Sequence, residues 1–159
     1  MLRQLADSVT DDQLRARAER ALAAIDQQAG RLTRWEIAGP YWVDGLKANG
    51  TRWDVIGMSM YPAVHNWKLL NEQALANMND MVTRYDKEVM MVECGMPWDQ
   101  PQGTRQFLTD LIQKVQSVEK GRGIGVFYWE PEAYGNWKGY TLGAFDNSGK
   151  PTVALDAFR

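Results

Sequence analysis

The sequence predicts an α/β protein built as roughly half of a (β/α)₈ TIM barrel. Three short apolar segments, each typical of a buried β-strand, end in polar or aromatic residues at Tyr61, at Glu93 and at Trp129. They recur at about the interval of one βα unit, and helix-like segments lie between them. A complete barrel needs ~250 residues, whereas this chain has 159. The length therefore predicts one domain that holds part of such a barrel.

The first 40 residues differ in amino-acid composition from the rest of the chain. Residues 1–30 are rich in Arg, Ala, Gln and Asp, follow helical spacing and end at a plausible terminator, Gly30. Residues 31–50 are ambiguous between a short strand and a helical turn. We expect residues 1–40 to be a divergent N-terminal helical segment of uncertain origin, and residues 41–159 to form the barrel part.

From Trp53 onward, strands and helices alternate. Apolar segments bounded by loop residues predict strands, and apolar residues at helical spacing predict helices. The predicted elements are a strand at 53–60, a helix at 67–85, a strand at 87–93, a helix at 104–119, a strand at 124–129, a loop at 131–143, a turn at 145–150 and a final short helix at 151–159. Because the strands are apolar on both faces, we expect a parallel sheet that is covered on both sides.

Composition and charge argue against several classes of function. A net charge of −2 argues against a nucleic-acid partner, because nucleic-acid sites are strongly basic. No apolar segment reaches the ~18 residues of a membrane-spanning helix, and the first residues lack the apolar core of a signal peptide. Cys94 is the only cysteine and His65 the only histidine, so neither type can supply a motif of spaced metal ligands. We expect no metal, no cofactor and no membrane association.

Glu93 is the strongest candidate for a catalytic residue. A carboxylate at the carboxyl end of a barrel strand lies where such folds place their chemistry. Retaining glycosidases use a carboxylate of this kind as the nucleophile. A glutamate that begins a surface loop is the alternative interpretation. Tyr61, at the preceding strand end, could donate a hydrogen bond to Glu93 and keep it ionised, or could merely pack in a Tyr-Pro turn.

Tryptophans are the candidate sugar-binding residues. Trp129 ends the third predicted strand, where its flat ring could stack on a pyranose. Trp98 and Trp137 lie in the loops near the same predicted rim. A self-packed loop is the alternative for Trp137. Because strand side chains alternate between faces, Trp129 and not Glu130 is expected to face the cleft, and Cys94 is expected to point away from it into the wall.

Four ordered segments resemble glycoside hydrolase family 53, the arabinogalactan endo-β-1,4-galactanases. Residues 53–62 read WDVIGMSMYP, residues 84–93 read RYDKEVMMVE, and residues 125–131 read GVFYWEP. The tail at 142–158, LGAFDNSGKPTVALDAF, is similar to the ending of the same family. Together the four segments cover roughly three-quarters of the chain.

The resemblance implies a TIM barrel of which this chain holds the C-terminal half, strands 6 to 8 plus flanking helices. It implies retaining hydrolysis of β-1,4-galactan or arabinogalactan, with Glu93 as the nucleophile. It also implies that Trp129 lies beside the sugar and that Tyr61 belongs to the sixth-strand motif of the family. Secretion, or export to the periplasm, is expected for the parent family because its polysaccharide substrate is outside the cell.

One catalytic part of the family pattern has no match in this chain. The family's acid/base is a glutamate that follows asparagine at a strand end, and the only Asn-Glu pair here, Asn71-Glu72, lies inside a predicted helix. We therefore expect a fragment with little activity alone. The alternative is a non-catalytic, galactan-binding half-barrel, or one that self-associates through exposed barrel edges. A retaining glycosidase of the same fold with another β-linked substrate is a weaker interpretation.

Overall fold

The computed structural model describes residues 40–159, without the side chains of residues 40–42. The helix predicted at 1–30 and the ambiguous segment up to residue 39 lie outside the described residues. Helix α1 spans Pro40–Ala48, in the part of the chain where the sequence allowed a helical turn.

Three strands alternate with two long helices in the rest of the chain. The elements are β1 at Val55–Met60, α2 at Trp67–Tyr85, β2 at Glu88–Cys94, α3 at Pro101–Gln116 and β3 at Gly123–Tyr128. Helix α2 has the predicted bounds, and each strand lies within two residues of its prediction. Helix α3 begins three residues earlier than predicted, because Pro101 occupies its first turn, where the missing proline N–H costs no hydrogen bond.

The sheet has the order β1-β2-β3 with both pairs parallel. A parallel pair requires a crossover connection, and α2 and α3 provide the two crossovers. This βαβαβ series is the arrangement that the sequence predicts for part of a (β/α)₈ barrel. All three carboxyl ends lie at the same edge of the sheet, which brings the segments after Met60, Cys94 and Tyr128 together.

An irregularity in β2 changes which face its last residues occupy. Met58 pairs with Met91, but the next residue of β1, Ser59, pairs with Glu93. Val92 is therefore an extra residue opposite β1, which is a β-bulge. Strand side chains alternate between the two faces, so one inserted residue shifts Glu93 to the face opposite that of Met91.

The hydrophobic core lies between the sheet and the two long helices. Methionines and branched apolar side chains supply most of it, and long flexible methionines fill irregular gaps well. The residues that are at most 1% exposed include Met58, Met60, Met78, Met81, Val82, Val89, Met91, Met96, Phe107, Leu108 and Leu111. Leu75 and Ile112, which the helical spacing predicted to face inward, are only partly buried.

The second face of the sheet is open, contrary to the expectation of a sheet covered on both sides. Val92 is 37% exposed, Ile124 45% and Phe127 60%. In a complete barrel this face points inward, where side chains from the other strands cover it. The strands are apolar on both faces, as the strands of a complete barrel are. Residues 40–159 cover only one of the two faces of the sheet.

The C-terminal segment folds back on α3. Phe145 and Pro151 form an isolated antiparallel bridge around a turn in which Asp146 Oδ1 accepts hydrogen bonds from the backbone N–H groups of Ser148 and Lys150. A 3₁₀ helix at Val153–Phe158 then packs on α3. None of the helices between residues 40 and 159 is both long and apolar enough to cross a membrane.

Candidate active site

Glu93 and Tyr61 meet at the carboxyl edge of the sheet. The Tyr61 hydroxyl donates a hydrogen bond of 2.9 Å to Oε2 of Glu93, which is one of the two interpretations that the sequence left open for Tyr61. Both residues are partly buried. A neutral donor on one carboxylate oxygen orients the group and leaves the other oxygen available to a ligand.

The bulge at Val92 makes this contact possible. Tyr61 continues the alternation of β1 onto the open face of the sheet, the face that also holds Gly57 and Ser59. Strict alternation in β2 would place Glu93 on the opposite face, among the helix-facing side chains. Because Val92 is inserted, Glu93 pairs with Ser59 on the open face, and Cys94 returns to the core, where its exposed fraction is 0%.

Tyr61 is held in its neutral, hydrogen-donating form. Burial raises the pKa of its phenol, and the hydrogen bond to Glu93 raises the pKa further, because a phenolate beside a carboxylate would be repelled. A smaller contribution comes from the phenol of Tyr140. The Tyr61 hydroxyl therefore remains a donor at neutral pH and well above it.

Trp129 follows β3 and exposes 47% of its surface at the same edge. Its backbone N–H donates a 2.8 Å hydrogen bond to the carbonyl of Cys94, next to Glu93. The hydroxyl of Tyr140 donates a short hydrogen bond to the carbonyl of Trp129, and the peptide bond from Trp129 to Glu130 is cis. The backbone of Trp129 is thus anchored on both sides while its ring stays accessible.

The side-chain hydroxyl of Tyr128 connects the loop after β2 with the loop after β3. Its hydroxyl donates to the carbonyl of Leu142 at 2.8 Å, and the carbonyl of Gly143 lies at 3.1 Å. The same oxygen lies 3.3 Å from the carbonyl of Met96. Burial raises the pKa of this phenol, so it remains a donor. Tyr128 therefore determines how the two loops around Glu93 meet.

The structure places Trp98 and Trp137 in different settings. Trp98 is partly buried, and its backbone N–H donates to the carbonyl of Thr141 at 3.0 Å. Trp137 is 47% exposed, and the ammonium of Lys138 lies 4.8 Å from the centre of its ring. Within the described part of the chain, no hydrogen bond joins either side chain to Glu93. They lie in the loops at this rim and do not contact the Tyr61–Glu93 pair through polar groups.

His65 and Cys94 offer little to a metal or to nucleophilic chemistry. His65 is exposed in the loop after β1. The Cys94 thiol is buried and donates to the carbonyl of Phe127 at 3.3 Å, and burial raises its pKa. Residues 40–159 contain no group of three or more His, Cys, Asp or Glu side chains that could hold a metal ion.

Sequence reasoning missed three parts of this arrangement. The bulge at Val92 cannot be recognised in the sequence. Val92 stands between the apolar Met91 and the partly exposed Glu93, so the pattern of apolar residues is that of an ordinary strand end. Tyr128 looked like an ordinary strand residue. Tyr140 lies in the loop predicted at 131–143, and that position alone does not predict that its hydroxyl reaches the Trp129 carbonyl. A tyrosine in a loop rich in glycine is a weak signal for such a role.

Comparison with known proteins identifies relatives of this chain. The model of glycosyl hydrolase family 53 matches residues 33–158. An arabinogalactan endo-β-1,4-galactanase from Cellvibrio japonicus is 34% identical over 115 residues, which cover 57% of this chain and 29% of that protein. A protein of the same name from Humicola insolens is 29% identical over 110 residues, 57% of this chain and 33% of that protein.

A solved structure shares the fold. It belongs to a study of two fungal β-1,4-galactanases and matches with a TM-score of 0.63 and 25% sequence identity. The match covers 78% of this chain and 44% of that structure. This chain therefore spans less than half the length of these relatives.

Proposed function

Because the chain belongs to glycosyl hydrolase family 53, we propose that it is part of a retaining endo-β-1,4-galactanase in which Glu93 is the nucleophile. Galactan or arabinogalactan is the proposed substrate. The observation that carries this proposal is the hydrogen bond from Tyr61 to Glu93 at the strand ends, beside the exposed ring of Trp129. A carboxylate oriented by a neutral donor next to an aromatic platform suits attack on a sugar.

The proposed reaction has two steps. In the first step the free Glu93 oxygen bonds to the anomeric carbon while the glycosidic C–O bond breaks, and a general acid protonates the departing oxygen. In the second step water, deprotonated by the same group, attacks the anomeric carbon and releases Glu93 as a carboxylate. Tyr61 holds the ionised Glu93 in position for the first attack. Trp129 would support the sugar ring, and Trp98 and Trp137 would contact sugars further along the polymer.

The acid/base group is proposed to lie outside this chain. We assign β1, β2 and β3 to the sixth, seventh and eighth strands of the barrel, with residues 41–159 as the family part and residues 1–40 as a separate segment. A retaining site needs a second carboxylate ~5–5.5 Å from the first, and losing acid–base assistance costs ~10²–10⁴-fold in rate. We expect little turnover of galactan by this chain alone. The parent protein is proposed to be secreted or periplasmic.

A mechanism-based label tests the role of Glu93 without needing the acid. The probe is a 2,4-dinitrophenyl 2-deoxy-2-fluoro-β-galactoside, whose leaving group departs unprotonated and whose fluorine slows release of the sugar. Mass spectrometry should locate a fluorogalactosyl ester on Glu93, and Glu93→Gln should remain unlabelled. Glu88→Gln, which changes the exposed carboxylate at the other end of the same strand, is the matched control and should label normally. An adduct elsewhere, or none, would contradict the proposal.

A non-catalytic half-barrel that binds galactan is the second candidate function. The exposure of Trp129 and Trp137, each 47%, favours it, as does the open apolar face of the sheet, through which the chain could self-associate. Under this alternative, Glu93→Ala binds galactan as the wild type does, and only the tryptophan variants lose binding. Loss of binding in Glu93→Ala with unchanged folding would favour the catalytic interpretation.

A further inference from the structure

The chain that leaves β2 after Glu93 is bonded at several points to the end of β3 and to the loop beyond it. The backbone N–H of Trp129 donates to the Cys94 carbonyl at 2.8 Å, and the N–H of Trp98 donates to the Thr141 carbonyl at 3.0 Å. Both contacts hold residues that closely follow Glu93 in the chain. The segment after β2 is therefore tied to two other segments where it leaves the sheet.

The side chain of Tyr128 joins the same segments between these two backbone contacts. Tyr128 is the last residue of β3 and pairs with Cys94. Its hydroxyl donates to the Leu142 carbonyl at 2.8 Å, and it lies 3.1 Å from the Gly143 carbonyl and 3.3 Å from the Met96 carbonyl. The backbone N–H of Met96 is 3.4 Å from the same oxygen. Three carbonyl oxygens thus converge on one hydroxyl.

The proton of the Tyr128 hydroxyl allows these three carbonyls to lie together. A carbonyl oxygen carries partial negative charge and can only accept hydrogen bonds, whereas the phenol supplies one proton. Without that proton the oxygens would repel one another, and a buried acceptor without a partner is costly. The segments would then separate until water reached the carbonyls. Burial raises the pKa of this phenol, so the proton is retained at neutral pH.

Gly95 shows how closely the segments approach each other. A Cβ atom built on Gly95 would lie 2.9 Å from the carbonyl oxygens of both Trp129 and Leu142, closer than Cβ atoms normally come to backbone. The Leu142 carbonyl is the one to which Tyr128 donates. The hydroxyl therefore holds the loop after β3 directly against the second residue after Glu93, next to the backbone of Trp129.

We propose that Tyr128 is a positioning residue that fixes Glu93 relative to Trp129, by holding the Leu142 carbonyl and the Met96 backbone together. Among residues 40–159, its hydroxyl bonds to backbone atoms alone, so it acts on the site through the chain. The role rests on the proposed function in one respect. Under that function, the relation of Glu93 to Trp129 is the relation of the nucleophile to the sugar platform.

Hydrogen exchange of backbone amides tests the inference without any substrate. Tyr128→Phe keeps the ring and removes the hydroxyl. NMR should show that exchange of the Trp98 and Trp129 amides accelerates roughly tenfold more than that of the Val89 amide, which is the scale of about one hydrogen bond. Val89 is the internal reference, because its N–H donates to the Arg122 carbonyl at the opposite end of the sheet. A merely structural role would accelerate exchange at all three amides by the same factor.

The kinetics of labelling by the fluorogalactoside connect this role to Glu93. At a saturating concentration of the probe, the Glu93 adduct should form on the order of tenfold more slowly in Tyr128→Phe than in the wild type, because attack requires exact alignment. Tyr134→Phe is the matched control. It removes the hydroxyl of a tyrosine that is 51% exposed in the loop after β3, and it should label at the wild-type rate. Uniform exchange at the three amides, or an unchanged labelling rate, would overturn the inference.

Two further observations keep the outcomes distinct. If Tyr128→Phe does not fold, the wild type still provides a test, because a hydroxyl proton held among carbonyls should exchange slowly enough to give a proton NMR signal in water. Absence of that signal would overturn the inference. The predicted exchange pattern without a wild-type adduct on Glu93 would reject the proposed function and leave the role of Tyr128 standing. An adduct on Glu93 together with uniform exchange would do the reverse.

Discussion

Val92 fills the space above Gly57 on the open face of the sheet. A Cβ atom built on Gly57 would lie 2.8 Å from Cγ1 of Val92 and 3.1 Å from its Cγ2. Valine is stiff about its first side-chain torsion, so neither methyl can turn away freely. Val92 is the bulged residue that places Glu93 on the open face of the sheet. Because Gly57 has no side chain, it leaves room for Val92, and it thereby helps to position the candidate nucleophile from the neighbouring strand.

Gly57→Ala should therefore disturb the site. The added methyl group overpacks against Val92, which typically costs ~1–3 kcal/mol of unfolding free energy, and it should slow labelling of Glu93. Gly125→Ala is the matched control in β3, because a Cβ there meets nothing within 4 Å. That change should be neutral or stabilise the fold by roughly 0.5–1 kcal/mol. Urea unfolding of both variants measures the contrast, and equal stability would show that Val92 moves freely.

Trp129 should contribute more to galactan binding than Trp137 does. The two tryptophans are equally exposed at 47%, but the Lys138 ammonium already occupies one face of the Trp137 ring. Trp129→Ala should weaken binding about tenfold, a loss of roughly 1.4 kcal/mol, and Trp137→Ala by less. Isothermal titration calorimetry with soluble galactan distinguishes them. A larger loss for Trp137→Ala would show that the platform lies in the loop rather than at the strand end.

Cys94 should be inert in the folded chain. Its exposed fraction is 0%, and burial raises its pKa, so the reactive thiolate is suppressed. A colorimetric disulfide reagent at pH 8 should react with it only after denaturant is added. N-acetylcysteine, an accessible thiol, provides the reference rate. Rapid reaction in native buffer would mean that β2 and β3 separate readily. The hydrogen bond from the Trp129 N–H to the Cys94 carbonyl would break in that separation.

Asp146 should stabilise the C-terminal turn only when it is ionised. Hydrogen bonds from Ser148 and Lys150 lower its pKa below the usual 3.8. A group whose pKa is lowered by folding stabilises the fold above its unfolded value, and the contribution is lost as pH falls through the folded value. Asp146→Asn should thus lower the melting temperature at pH 6, and the difference should shrink as the pH falls below 3.8. Asp99→Asn, which changes another exposed carboxylate, is the control.

The open face of the sheet should promote self-association. Phe127 and Ile124 are 60% and 45% exposed on β3, and exposed apolar patches favour contact with other chains. Sedimentation velocity should detect oligomers of this chain that Phe127→Ser reduces. Leu69→Ser is the matched control, because Leu69 is 61% exposed on α2, away from the sheet. An equal effect of both substitutions would argue against an interface at the open face.

The sequence predicted the order of the elements well because the apolar spacing of α2 and α3 and the apolar segments of the strands are local signals. Helix 67–85 matched at both ends for this reason. The sequence analysis placed Glu93 on the side of the sheet that faces the cleft. It did not predict why Glu93 lies there, because the inserted residue Val92 is defined by the pairing of β2 with β1, which is not a local signal. The hydrogen bonds of Tyr128 and Tyr140 likewise depend on how two distant loops meet.

The way the rim loops are attached bears on how such a site can diversify. Main-chain atoms and the Tyr128 hydroxyl hold the segment after β3 against the segment after β2, and Gly95 has carbonyls of Trp129 and Leu142 2.9 Å from where its Cβ would be. The outward side chains at Tyr134 and Trp137 take little part in that attachment. Under the proposed function, substitutions there would alter which glycan the surface prefers while the backbone keeps its course, so new specificity would evolve without loss of the scaffold.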